Sequence, residues 1–246
     1  KKANFLSSLA KELLFKLKSA ADLNYLALGK SIVANLEQKH IQIFLHDNPS
    51  ARVLAKLGWD GGLEPPTCAE NCLNNWFGLV EANVGVNKSN TFIARKMSIV
   101  SQVSNEKITN TLKVELNNKA STALGNKAFY KTFARLISPS QTTLVSVQKS
   151  GEELIPESSE VRGRRESGVL VEVLPGQRVN LEFVWELPIK ADLGREGEYV
   201  LFWRKQAGTG NDQISVKLVF PQSLTLEGDT EYNGLLSGDY VSRIHW

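Results

Sequence analysis

The stretch TFIARKMSIVSQV, residues 91–103, alternates apolar and polar side chains, and KITNTLKVELNN, residues 107–118, repeats this pattern after a short break. Strict alternation is typical of a half-buried β-strand, because successive side chains point to opposite faces of a sheet. Further runs of this kind follow, bounded by Gly, Pro, Asn or Ser: residues 129–138, 142–150, 168–177, 178–188, 198–205 and 213–221. Eight strands without an intervening helix predict an antiparallel, immunoglobulin-like β-sandwich domain over residues 90–246.

Two segments of this half lack a simple strand pattern. Residues 152–165 carry acidic side chains followed by arginines that largely neutralise them, which is typical of a solvated connection. The C-terminal residues 223–246 predict a final β-hairpin, with Asn233-Gly234 as its turn.

The first 89 residues have a different pattern. Phe5, Leu9, Leu13 and Leu17 recur at every fourth position, which predicts an amphipathic helix that covers a sheet. A basic helix lying on a membrane surface is the alternative. The remaining elements predicted here are a helix at 23–39, a strand at 41–46, a helix at 50–57 capped by Asp47 or Asn48, and a buried strand at 76–82. Since two strands make a poor independent sheet, we expect residues 1–89 to be an α/β segment that completes a larger upstream domain, so that the whole chain is of the α+β class.

The composition is that of an ordinary globular protein. The 246 residues are 42% hydrophobic and 22% charged, with a formal net charge of +3. This charge is too small, and basic residues too little interleaved with aromatic ones, to indicate nucleic-acid binding. No run approaches the roughly 18 apolar residues of a membrane helix. The first residue is Lys, and we expect the chain to be part of a longer protein.

The stretch VEANVGVNKSN, residues 80–90, resembles a phosphate-binding loop only in its Lys88-Ser89 ending. The two glycine positions of such a loop hold Ala82 and Asn87. A strand follows, whereas a phosphate loop opens a helix whose N-terminus faces the anion. The stretch is therefore not a nucleotide site.

We instead expect this loop to join the two parts of the chain. Asp60, Glu81, Asn83, Asn87 and Lys88 are its candidate structural residues. In this hypothesis Lys88 pairs with Glu81 or with Asp60 and fixes the junction.

The cysteines Cys68 and Cys72 lie four residues apart in TCAENC. Two thiols cannot complete a tetrahedral zinc site, and no histidine has ligand spacing to them. A redox pair is usually one residue closer, so a catalytic thiol is disfavoured. Two alternatives stay open: small residues in a loop, or a local disulfide formed in an oxidising compartment.

Several stretches together resemble the C-terminal half of a bacterial envelope family known as domain of unknown function 4012. They are NFLSSLAKELLFKL (4–17), LEQKHIQIFLHDN (36–48), GWDGGL (58–63), WFGLVEANVGVNKSNTFIARKMSI (76–99), PGQRVNLEFVWELP (175–188) and EYVLFWRKQAGTGNDQISVKLVFP (198–221). The loop holding Cys68 and Cys72 departs from the family pattern.

The resemblance implies an export route, an N-terminal membrane anchor and a location outside the cytoplasmic membrane. It also implies an upstream domain distantly similar to enzymes that ligate polymers to the cell wall. The family supplies no established activity for this chain.

Catalytic and metal motifs are weak in this sequence. No G-x-S-x-G is present, and the three histidines are scattered, which disfavours an acyl-transfer triad. Asp229, Glu231 and Asn233, followed by Gly234, match the start of an EF-type calcium loop. Its twelfth position, however, is Tyr240 rather than Glu. We expect no cofactor.

Among the five tryptophans, Trp185 and Trp203 lie on the apolar faces of predicted strands and are expected in the core. Trp59, beside a glycine turn, and Trp246, at the terminus, are the candidates for an exposed glycan contact.

The sequence therefore predicts a non-catalytic, exported cell-envelope module with a structural role or a role in protein or glycan contact. The alternative is the accessory half of a cell-wall polymer transferase that helps to hold a glycan acceptor. Its expected partners are a cell-wall glycan or an envelope protein. Neither nucleic acid nor membrane contact is required by this part of the protein.

Overall fold

A computed structural model describes residues 2–19, 24–68 and 70–246. The α-helices are α1 (Lys2–Ser19), α2 (Tyr25–Glu37) and α3 (Asn48–Lys56). The strands are β1 (Cys72–Asn83), β2 (Ile93–Val103), β3 (Lys107–Asn118), β4 (Tyr130–Pro139), β5 (Thr143–Lys149), β6 (Glu152–Glu153), β7 (Glu157–Val161), β8 (Arg164–Val173), β9 (Arg178–Pro188), β10 (Glu198–Arg204), β11 (Asp212–Val219), β12 (Glu231–Leu236) and β13 (Tyr240–His245).

The strands form two sheets in a sandwich-like arrangement. The first has the order β13-β10-β1-β4-β8-β7, and the second β12-β11-β2-β3-β9-β5-β6. Both are mixed, because β1 runs parallel to β10 and β2 runs parallel to β11. The predicted purely antiparallel pairing is thus corrected. Alternation along a strand reports which face is buried, not the direction of the neighbouring strand.

The inner faces of both sheets share one hydrophobic core. The Phe77 ring packs against one tryptophan of each sheet, with its centroid 5.3 Å from that of Trp185 and 4.8 Å from that of Trp203. Both indoles are buried, which confirms their predicted place in the core. Truncating such an aromatic side chain typically costs about 3–5 kcal/mol.

The boundary predicted at residue 89 is wrong for the sandwich, which begins at Cys72. Strand β1 pairs with β10 on one side and with β4 on the other, in the middle of the first sheet. Residues 41–46 form no strand, and the N–H of Ile43 instead bonds the carbonyl of Trp59. Strand β1 therefore belongs to the sandwich and not to a separate two-strand unit.

The helices lie where the sequence predicts them. Asp47 caps α3 by accepting from the N–H of Ser50, and Pro49 stands in its first turn. Leu36 of α2 is buried, but most described apolar side chains of α1 and α2 are exposed, so the expectation that these helices cover a sheet with their apolar faces is not met. The exposed ones include Phe5, Leu9, Leu13, Leu14, Phe15, Leu17, Tyr25, Leu26, Ile32 and Val33. No helix in the described ranges is long and apolar enough to cross a membrane.

The C-terminal hairpin prediction is also wrong. Asn233 and Gly234 lie inside β12, and the chain turns at residues 237–239 into β13, which joins the other sheet. The ring of Tyr232 lies where a Cβ on Gly234 would stand, so this glycine makes room for an aromatic side chain.

The charged segment predicted as a solvated connection contains paired strands. It holds β6, β7 and the beginning of β8. The chain turns between β7 and β8 at Arg162-Gly163, where both φ angles are positive, as tight hairpin turns require.

Candidate functional site

A polar cleft of about 680 Å³ opens at one end of the sandwich. Two loops frame it: the junction loop, residues 83–92, between β1 and β2, and the glutamine loop, residues 205–211, between β10 and β11. The sheets contribute Glu81 and Tyr130 from one side and Arg95 and Asp212 from the other.

An ion pair joins the two sheets at the base of this cleft. The Glu81 carboxylate accepts from Nε of Arg95 at 2.6 Å, from its Nη2 at 3.2 Å and from the hydroxyl of Tyr130 at 2.5 Å. Burial lowers the pKa of Arg95, but the adjacent Glu81 charge outweighs this effect and raises it above its usual value. Burial, and then Glu81, raise the pKa of Tyr130. Arg95 and Tyr130 therefore both hold their protons more tightly than usual beside the Glu81 side chain.

The glutamine loop is fixed to β1 by the side chain of Gln206, whose amide forms the hydrogen bonds that a neighbouring strand would form. Gln206 accepts from the N–H of Glu81 at 2.8 Å and donates to its carbonyl at 3.0 Å. The β10 partner of β1 ends opposite Gly78, so this amide continues the ladder where no strand lies. Thr209 then donates to the carbonyl of Gln206 at 2.9 Å.

A buried lysine organises the same loop from behind. Lys205 is 1% exposed, and its Nζ donates to the carbonyls of Thr209 at 2.9 Å and Gln38 at 3.1 Å. Burial lowers its pKa. Since Gln38 follows α2, this contact ties the helix to the wall of the cleft.

The turn before β13 supplies a second tie to α2. The Asp239 carboxylate accepts from Nη1 of Arg204 at 2.7 Å and from the N–H of Lys205 at 3.0 Å. It also lies 3.0 Å from Nζ of Lys39, which donates to the carbonyl of Gly58. The residues that follow α2 and α3 are thus tied to the turn before β13.

Asparagines hold the junction loop. Asn83 donates to the carbonyl of Asn87 at 2.8 Å and accepts from the N–H of Gly85 at 2.9 Å. Asn87 accepts from the N–H of Ser89 at 3.1 Å and donates to the carbonyl of Phe129 at 2.8 Å. These side chains satisfy backbone groups that a loop otherwise leaves to water.

The predicted ion pair of Lys88 is not formed. The Lys88 side chain is exposed, and no described residue pairs with it. Glu81 pairs with Arg95 instead, while Asp60 accepts from the N–H of Gly62 within its own turn at 2.9 Å. Sequence reasoning missed Arg95, although its place on the inward face of the alternating stretch marks a charge that needs a buried partner.

Asp212 differs from the other charged groups of the cleft. Its carboxylate forms no hydrogen bond or ion pair within the described part of the chain, although it lines the cleft. Burial raises its pKa, and the nearby Arg95 charge partly offsets this. Asp212 therefore offers free hydrogen-bond acceptors beside Glu81 and Arg95, which are already paired with each other.

Neither candidate glycan tryptophan lines this cleft. Both are half-buried. Trp246 donates from Nε1 to the carbonyl of Arg195 at 2.8 Å and covers Gly197, so its ring packs against the protein. The carbonyl of Trp59 bonds the N–H of Ile43. Trp246 instead lines a separate cleft of about 600 Å³ together with Glu198 and Glu227, and its glycan contact stays a prediction.

The calcium hypothesis for Asp229, Glu231 and Asn233 does not match the geometry. Glu231 and Asn233 lie in the extended strand β12, which cannot wrap around an ion as an EF-type loop does. Glu231 pairs with Lys217 at 3.1 Å. The described residues contain no group of three or more His, Cys, Asp or Glu placed to hold a metal.

Cys68 and Cys72 form a disulfide that ends at the first residue of β1. The neighbouring Asn71 has a positive φ of 54°, and its side chain fixes the loop before β10. It donates to the carbonyls of Asp192, Arg195 and Glu196 and accepts from the N–H of Asp192. The disulfide therefore fixes the segment that contains Asn71, and this segment does not line the cleft.

Known proteins resemble this chain only at a low level. No family model matches the chain, and no curated protein matches it. A "putative nutrient binding protein" from Legionella pneumophila is similar in structure at a TM-score of 0.44 and 7% identity, over 70% of this chain and 71% of that one. Yeast LTA4 hydrolase in complex with bestatin gives 0.32 and 9%, over 65% of this chain and 30% of the hydrolase. An M1 zinc metallopeptidase from Deinococcus radiodurans gives 0.23 and 9%, over 63% and 38%. Similarities at this level identify neither a fold family nor a function.

Proposed function

We propose that this chain is a non-catalytic interaction module of an exported cell-envelope protein, and that it contacts cell-wall glycan or another envelope protein. One observation carries the proposal. The junction loop and the glutamine loop, which lie far apart in the sequence, meet in space and frame a single polar cleft.

The base of the cleft supports binding rather than proton transfer. Glu81, Arg95 and Tyr130 are joined to one another, and the backbone of Glu81 is held by Gln206. A general acid or base needs a group that can change its proton near neutral pH. Here the pKa values of Arg95 and Tyr130 are instead raised further above neutral pH.

The envelope assignment is part of the same proposal. We infer that the chain is the C-terminal half of a member of domain of unknown function 4012, anchored through an upstream membrane segment. The quoted stretches support this, as does the Cys68–Cys72 disulfide, because such bonds persist in oxidising compartments. An immunoglobulin-like core, extended by additional edge strands, is the corresponding proposal for the sandwich.

The second candidate is the accessory half of a wall-polymer transferase. The exposed apolar faces of α1 and α2 favour it, since contiguous apolar surface indicates an interface. In this proposal α1 and α2 pack against an upstream domain, and the cleft of the sandwich holds a glycan acceptor for it.

Co-sedimentation with isolated bacterial cell-wall material tests the proposed function, with tryptophan fluorescence as a second readout. We expect saturable sedimentation of the folded chain and none of the urea-unfolded chain. Absence of wall binding, together with the absence of any specific cross-link to an envelope protein in cells, would contradict the proposal.

A further inference from the structure

Several polar side chains that line the cleft form no hydrogen bond or ion pair with other described residues. Asp212, Asn211, Gln213 and Lys119 all line it, and their side chains make no hydrogen bond or ion pair within the described ranges. Asp212 is half-buried, whereas the other three are exposed. A carboxylate, two amides and an ammonium group thus stand around one space with their donors and acceptors free.

The charges of the cleft balance. Glu81 is neutralised by Arg95, and the cleft is also lined by one free carboxylate, Asp212, and one free ammonium group, Lys119. A phosphate or polyanion site needs converging cations or a helix N-terminus, and a calcium site needs several oxygen ligands with negative charge. The lining instead matches an uncharged ligand that both donates and accepts hydrogen bonds.

Hydrogen bonds within the protein hold the walls of the cleft in place. Gln206 holds one loop to β1 through two hydrogen bonds, Asn83 and Asn87 hold the other, and buried Lys205 ties the first loop to the end of α2. Preorganised walls reduce the ordering cost of binding. The volume of about 680 Å³ is within the roughly 300–1,000 Å³ of small-ligand sites.

We propose that this cleft binds a neutral saccharide. Each sugar hydroxyl is at once a donor and an acceptor, so neighbouring hydroxyls can donate to Asp212 and exchange hydrogen bonds with the amides of Asn211 and Gln213. This assignment rests on the proposed interaction function and names its ligand class. It places the saccharide between the loops, away from Trp59 and Trp246.

Titration calorimetry of the full chain with chitotriose and maltotriose, two neutral trisaccharides, tests the proposal. We expect at least one of them to bind and Asp212→Ala to weaken its affinity about tenfold or more. Asp229→Ala, which removes an exposed carboxylate outside the cleft, is the matched control and should bind like the original chain. Asn211→Ala, in an exposed loop position, provides a second cleft variant if Asp212→Ala unfolds.

The outcomes separate this inference from the proposed function. Unchanged affinity in the cleft variants, or binding of glucose 6-phosphate in preference to both trisaccharides, would overturn the saccharide site. Wall co-sedimentation that persists in Asp212→Ala and Asn211→Ala would overturn the cleft assignment but leave the interaction function standing. Trisaccharide binding lost in the cleft variants, without any wall or envelope-protein binding, would uphold the site and contradict the function.

Discussion

Replacing Glu81 by Ala should destabilise the sandwich strongly. The substitution removes three hydrogen bonds to a carboxylate whose side chain is 3% exposed, and it leaves the Arg95 guanidinium, 10% exposed, without its counter-charge. Breaking a buried ion pair by removing one partner costs about 3–5 kcal/mol. We expect a loss of this size in the free energy of unfolding.

Urea denaturation monitored by tryptophan fluorescence measures this loss, because Trp185 and Trp203 are in the core. The double variant Glu81→Ala, Arg95→Met should recover at least about 2 kcal/mol of it, since no unpaired charge remains. Glu231→Ala, which breaks the exposed pair with Lys217, is the control and should cost less than about 1 kcal/mol. A Glu81→Ala cost below about 1 kcal/mol, or a double variant whose loss is the sum of the two single losses, would refute the reasoning.

Three further predictions concern stability. Asn71→Asp should cost about 2 kcal/mol in urea denaturation, because it removes the three donations to residues 192–196; a loss within 0.5 kcal/mol would contradict that anchor. Gly168→Ala should lower the thermal midpoint by several degrees, since its Cβ would clash with the ring of Phe133, and an unchanged midpoint would count against this packing. Burial raises the pKa of Tyr199 to about 12, so the unfolded chain loses its phenol proton first, near pH 10. The stability that this group contributes is complete below pH 10 and is lost as the pH rises towards 12. The free energy of unfolding should therefore fall between pH 8 and pH 11, and Tyr199→Phe should make this fall smaller by about 1 kcal/mol. An equal fall in both proteins would contradict this.

Much of the secondary structure follows from periodicity alone. The alternating runs gave the long strands because one of their faces is buried, and the apolar spacing gave α1 and α2. Strand partners do not follow, since a strand such as β1 carries no local mark that β10 lies beside it in parallel. The Asn233-Gly234 pair is a second example. It is typical of a hairpin turn, but here it lies inside β12, where the glycine makes room for the Tyr232 ring.

The cleft was only partly predictable. The asparagines of the junction loop were identified as structural, whereas the partner of Glu81 was not, because Lys88 is near in sequence and Arg95 is near in space. The glutamine loop contributes through contacts across more than a hundred residues, and no local pattern encodes those. An inward-facing arginine on an otherwise apolar strand face is the signal that sequence reasoning can use for such pairs.

The central claim, that the two loops form one preformed ligand-binding cleft, is tested most directly by NMR. Amide chemical shifts of the isotope-labelled chain would be recorded while a soluble cell-wall glycan fragment is added. We expect saturable shifts clustered at residues 83–92 and 205–213, with the helices and the outer sheet faces unchanged. Shifts centred on Trp59 or on α1, or saturable binding without any change at these two loops, would contradict the account.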